Sequence, residues 1–203
     1  MNQRPLLPDP CRCFLAIALP TAVRAQIAAA ISGWCQTAAL PPARIRWIAP
    51  ANLHLTLHFL GQLAAKQRDR LVAACQARLA AQAPFSLQLQ GCGAFPAPRQ
   101  ARILWLGVGD GQALLTDLHG TLTAALAEQG LAPEPRPFVP HVSLARLRQP
   151  LDLERDLPDF LAQGFRASPF RVEALVLYRS IPQPGGVRYQ SLAWLPCAGG
   201  TAF

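Results

Sequence analysis

The sequence predicts an α+β protein with two antiparallel sheets flanking a central groove and helices on the outside. Three observations carry this reading. Asn52–Gly61 (NLHLTLHFLG) alternates with period two, which places Leu53, Leu55, Leu57 and Phe59 on one face and His54, Thr56 and His58 on the other. Pro140–Leu147 (PHVSLARL) repeats the device, with His141 and Ser143 sharing a face. Finally, helices and strands are mixed along the chain rather than in strict β-α-β order. Each half contains a strand, a helix and a histidine-bearing strand, which suggests a degenerate duplication with the two histidine strands facing across one cleft.

The elements follow in order. Residues 1–10 read as a flexible tail, and 11–203 as a single domain. Arg12–Leu19 (RCFLAIAL) is a short apolar run stopped by Pro20, hence a buried strand. Val23, Ile27, Ile31 and Trp34 recur at helical spacing over 21–38, with Thr21 able to cap the start. Arg44–Ile48 is a second strand, and Pro50-Ala51-Asn52 turns into the first histidine strand. Leu71, Val72, Cys75 and Leu79 form the inner face of a helix over 64–82. Phe85–Gln90 alternates cleanly as a strand, whereas Gly91–Arg99 reads as a loop from its glycines and prolines. A strand over Arg102–Val108 precedes a leucine-faced helix over 112–129, ended by Gly130. After the second histidine strand, 149–168 read as an acidic, irregular loop with one helical turn. Strands over Phe170–Ser180 and Val187–Leu195, with a tight loop at Pro182–Gly186, complete the chain.

Composition bounds the function. The chain of 203 residues is 51% hydrophobic and 15% charged, enough apolar content to bury a core. Its net charge of +8 fits a polyanionic partner such as RNA. The surplus is almost all arginine, Lys66 being the only lysine, so it equally fits genomic composition. Six cysteines lack the spacing of a zinc site and are expected to be reduced thiols. The start lacks the apolar stretch of a signal peptide and no run reaches about 18 apolar residues. The expectation is therefore a cytoplasmic protein without a membrane partner.

The two motifs suggest phosphoryl chemistry. One neutral imidazole can take a proton from an attacking water while a second, protonated, gives one to the leaving oxygen. A hydroxyl two residues on shares the strand face of its histidine, so Thr56 and Ser143 can donate to non-bridging phosphate oxygens. A pair of surface histidines on sheet edges is the alternative from pattern alone. A zinc site made by His54, His58 and His141 is disfavoured. No carboxylate completes the set, and His54 and His58, four apart on a strand, have Cα atoms about 13 Å apart. His58 is read as a bystander at the groove mouth, Phe59 as core, and His119 as a solvent or core-edge residue.

Five stretches together resemble the two-histidine (2H) phosphoesterases, within them the RNA 2′,3′-cyclic phosphodiesterase or 2′-5′ RNA ligase group. These are RCFLAIALP (12–20), RWIAPANLHLTLHFLG (46–61), FPAPRQARILWLGV (95–108), PFVPHVSLARL (137–147) and LYRSIPQPGGVRYQSL (177–192). The resemblance implies a bilobal fold whose two H-x-[ST] motifs line one groove. It also implies hydrolysis of RNA 2′,3′-cyclic phosphate ends to 2′-phosphomonoesters, without metal or other cofactor, and a 2′-5′ joining reaction as a side activity. Carried onto this chain it makes His54 and His141 catalytic, with His54 as acid and His141 as base or the reverse, and Thr56 and Ser143 phosphate-binding. Arg146 matches an arginine common in the family and would hold phosphate or stack on a base; its strand parity is opposite to that of His141, so reaching the groove requires a strand end or a bulge. Phe14 is a candidate for stacking on the terminal base, with core packing as its alternative. Tyr178 and Arg179 either border the groove or pack structurally. A non-catalytic RNA-end binder and a phosphodiesterase of small cyclic nucleotides remain the competing functions, and a monomer is expected.

Overall fold

The structure, a computed structural model, describes residues 9–38, 41–132, 134–162, 164–184 and 186–199. Strand β1 (Cys11–Ala18) ends before Pro20, and helix α1 (Thr21–Thr37) buries Val23, Ile27 and Trp34. Short β2 (Ile45–Trp47) is followed, after a 3₁₀ turn at Pro50–Asn52, by β3 (His54–Leu63). Helix α2 (Ala65–Leu79) buries Arg68, Leu71, Cys75 and Leu79, one face at spacings of three and four. Then come β4 (Phe85–Leu87), β5 (Leu89–Phe95), β6 (Ala101–Val108) and α3 (Gln112–Glu128). The chain closes with β7 (His141–Leu151), the short helices α4 (Leu153–Asp156) and α5 (Pro158–Ala162), then β8 (Phe170–Val172), β9 (Ala174–Gln183) and β10 (Gly186–Pro196).

The α+β expectation holds, with the two antiparallel sheets fused along a narrow seam. The strand order is β10-β9-β1-β3-β7-β6-β5, with β2 also pairing β7. At the seam, β3 and β7 share a single register pair, Leu55 with Val142. Each lobe is completed by the other half of the chain. β9 and β10, late in sequence, extend β1 and β3, while β2 and β5, early in sequence, flank β7 and β6. A separate two-stranded sheet joins β4 to β8. Helix α2 packs on α3 and β10, α3 on β3, and α5 on α1 and β5.

Three segments differ from expectation. Residues 149–162 are not an irregular loop: β7 runs to Leu151, and Leu153, Leu157 and Phe160 are buried in packed helical turns. Of the acidic residues Glu154 faces solvent, whereas Asp156 is buried and accepts from the Asp152 N–H and from Arg155. Gly91–Phe95 belongs to a strand rather than a loop, for Gly93 admits a neighbouring ring. A methyl group on Gly93 would collide with the Trp105 indole across the β5–β6 pair. The alternation over Phe85–Gln90 is broken at Gln88, whose backbone N–H donates to Asp110 O and whose buried amide donates to Ala167 O, 2.8 Å. Of the expected tail, residues 1–8 lie outside those described; Asp9 accepts from Arg68 at 3.0 Å. Arg68 also donates to Leu63 O at 2.8 Å, so it ties the start of β1 to the end of β3.

Candidate active site

The seam places the two motifs side by side. In an antiparallel pair centred on Leu55 and Val142, the flanking residues are His54 beside Ser143 and Thr56 beside His141. Leu55 and Val142 are fully buried, so the flanking four side chains point to the opposite, groove face. The histidines are diagonal neighbours, which in such pairs are typically about 7–8 Å apart and so within reach of one phosphorus.

Both imidazoles are held by the same local device. His54 Nδ1 lies 2.7 Å from Asn52 O, and His141 Nδ1 lies 2.7 Å from Val139 O. A carbonyl only accepts, so each Nδ1 carries the proton and each Nε2 is left for chemistry. Asn52 is itself fixed, its amide donating to Val187 O of β10 at 2.8 Å. Among the described residues the Thr56 and Ser143 hydroxyls have no protein hydrogen-bond partner, which leaves both donors free for a ligand.

Past the hydroxyl residue both strands bulge at the same place. In β3, Thr56 pairs with Ala16 and His58 with Leu15, so Leu57 is passed over. In β7, Ser143 pairs with Trp105 and Ala145 with Leu104, so Leu144 is passed over. An extra residue reverses the facing of everything after it. Arg146 thereby turns to the groove, as its parity required, and lies opposite Arg46 of β2. The same reversal corrects two readings in β3. Phe59 is not core but 59% exposed on the groove face, and His58 is not on the wet face but 4% exposed beneath it. His58 therefore cannot join His54 in a shared metal site.

Aromatic rings flank each histidine. The His54 ring centroid lies 4.8 Å from that of Phe14, 4.9 Å from that of Tyr189 and 6.2 Å from that of Tyr178. His141 has Phe95 at 5.0 Å and Trp105 at 6.2 Å. Phe14 is 3% exposed, stacked against Tyr178 at 5.3 Å and met edge-on by Tyr189 at 4.9 Å, so it lies in the floor beneath His54. Tyr178 thus borders the groove, whereas Arg179 faces away and donates twice to Gln190 Oε1, at 2.9 and 2.7 Å. Reading the sequence did not single out Tyr189, Phe95, Trp105 or Arg46. Each reaches the site through a strand pairing, and local alternation carries no signal for which strands pair.

Burial sets the electrostatics. It pushes the His54 pKa below the ordinary 6.5, against the Asn52 carbonyl, which favours the protonated ring, and with a further push from the nearby His141. Burial also lowers His141, opposed by the Val139 carbonyl. Tyr189 is raised by burial, with Arg146 and Arg12 close enough to pull it back. The groove thus joins two poised imidazoles to hydroxyl, phenol and guanidinium donors, a set suited to a phosphate that changes charge as it reacts.

Known proteins share this arrangement of chain. The profile of the 2'-5' RNA ligase superfamily matches residues 19–182. An RNA 2',3'-cyclic phosphodiesterase of Methanothermobacter thermautotrophicus is 30% identical over 183 residues, which are 89% of this chain and 96% of the relative. That of Escherichia coli is 35% identical over 138 residues, 68% of this chain and 73% of the relative. The crystal structure of Escherichia coli LigT complexed with 3'-AMP aligns with a TM-score of 0.74 at 29% identity, covering 93% of this chain and 99% of LigT.

Proposed function

This chain belongs to the 2'-5' RNA ligase superfamily, and from that premise we propose that it hydrolyses RNA 2′,3′-cyclic phosphate ends to 2′-phosphomonoesters. The carrying observation is the pair of imidazoles beside the Leu55–Val142 seam, each with Nδ1–H tied to a carbonyl two residues back. His141, the more open of the two, takes a proton from water through Nε2 as the water oxygen bonds to phosphorus. The P–O3′ bond breaks, and His54, enclosed by its three rings, gives the Nε2 proton to the leaving ribose O3′. Paired transfer of this kind contributes about 10² to 10⁴-fold per group. Thr56 and Ser143 donate to the non-bridging oxygens, and Arg146 holds the phosphate. Phe59 offers its exposed face to a base, while Phe14 supports the His54 ring from below. With a 5′-hydroxyl in place of water, the same groups form a 2′-5′ linkage.

The test is turnover of an RNA oligomer bearing a 2′,3′-cyclic phosphate, in excess chelator, by the wild type, H54A, H141A and the double variant. Each single variant is expected to lose at least about 10²-fold in kcat, and the double little more, because the histidines act as a unit. A single variant with wild-type kcat would sink the paired mechanism. Salt-sensitive RNA binding without turnover would make the protein an end-binding module, and preference for a mononucleotide over the oligomer would make it an enzyme of small cyclic nucleotides.

A further inference from the structure

Behind the groove, three flat rings form a stack that spans both motifs. The His58 ring of β3 lies 4.2 Å from that of His119 on α3, with 11° between the planes. On the other side of His119, the Phe138 ring lies 3.9 Å away at 4°. His58 Nε2–H donates to His119 O at 3.3 Å, and the same carbonyl accepts from Thr123 Oγ1 at 2.8 Å. The near end of the stack is two residues from Thr56. The far end is next to Val139, whose carbonyl accepts the His141 Nδ1 proton at 2.7 Å.

That carbonyl needs an anchor. Residues 134–140 form neither helix nor strand; Glu134–Pro137 and Val139 are exposed, and only Phe138 and Pro140 turn inward. His54 is served differently, for its acceptor belongs to Asn52, which is bound to Val187. The acceptor for His141 has no such side-chain tie, and its neighbour Phe138 is held through the face of His119.

We propose that His119, clamped between His58 and Phe138, is a positioning residue that holds the Val139 carbonyl in place and through it the tautomer and aim of His141. The inference rests on His141 being catalytic. A shift of about 1 Å in a reacting group can cost on the order of 10²-fold in rate, and an imidazole without its fixed acceptor exchanges between two tautomers, one of which has no lone pair at Nε2. The role needs a flat face and no titration, so a phenyl ring can fill it.

The experiment compares wild type, His119→Phe, His119→Leu, His119→Ala and His141→Ala at pH 8, with the fold checked by circular dichroism. On a 2′,3′-cyclic-phosphate RNA oligomer, His119→Ala and His119→Leu are expected to lose at least about 10-fold in kcat with KM within about 2-fold. His119→Phe retains wild-type kcat. Nitrogen-15 spectra of the imidazoles should show a single His141 tautomer, protonated at Nδ1, in wild type and His119→Phe, and a mixture in His119→Leu. If His119→Leu folds, turns over at the wild-type rate and keeps one tautomer, the positioning role is wrong. If His141→Ala turns over normally, the catalytic reading fails first and takes this inference with it.

Discussion

His54 and His141 both titrate below 6.5 because burial opposes their charged forms. A base is lost as pH falls through its pKa and an acid as pH rises through its own. With both depressed in the free enzyme, the bell of kcat/KM is expected to peak below about pH 6.5. A pH–rate series on a cyclic-phosphate oligomer reads this directly, and a maximum above pH 7.5 would contradict it. His58 carries a stability effect instead. Its pKa is lowered to about 4 by burial, with the neighbouring His119 adding to the shift. The neutral ring is favoured in the folded state, so its contribution is present above about pH 6.5 and lost as pH falls towards 4. The loss amounts to about 3 kcal/mol. Urea unfolding at pH 7 and pH 4.5 should show a smaller acid loss in His58→Leu than in wild type.

At the scale of elements, the two bulges decide what the strands present. Each motif strand carries a histidine, a hydroxyl two residues on and a groove-facing residue five on: His54, Thr56 and Phe59 in β3, and His141, Ser143 and Arg146 in β7. The duplication inferred from element order is thus repeated in the position of the bulge, with phenylalanine at that place in one copy and arginine in the other. Neighbouring strands matter as much. Trp105 reaches the flank of His141 because Gly93 on β5 leaves room for its indole. Gly93→Ala is expected to cost about 1–3 kcal/mol by overpacking and to lower kcat through the displaced indole, measured by thermal unfolding and single-turnover hydrolysis. Unchanged stability would mean that the β5–β6 pair yields more easily than its packing suggests.

Across the whole molecule, the lobes exchange strands, so the groove forms only when both halves of the chain are folded together. The net charge of +8 acts at this scale too. Arg46 and Arg146 pair across β2 and β7 on the groove side, and Arg12 lies near Tyr189. If these guanidiniums follow an RNA backbone, KM for an oligomer should rise steeply between 50 and 200 mM salt, on the order of 10-fold or more. KM for a cyclic mononucleotide should change little. Equal salt dependence for the two substrates would confine recognition to the terminal phosphate.

The sequence by itself determined the apolar alternation of both histidine strands, the spacing of two between each histidine and its hydroxyl, and the helices between them. These are local properties, written in side-chain period and in proline and glycine stops. It also required a strand end or a bulge for Arg146 to reach the groove, though it could not say which or where. Only the tertiary structure decided that His58 turns inward, that Phe59 turns outward, that Phe14 lies in the floor, and that Tyr189, Phe95 and Trp105 flank the imidazoles. A bulge exists only by counting residues against a partner strand, and the partners here, β1 for β3 and β6 for β7, lie about 40 residues away in sequence. The choice of partner follows from burying the apolar face of every strand under the helices at once while the groove face stays open, a condition that no short stretch of sequence contains.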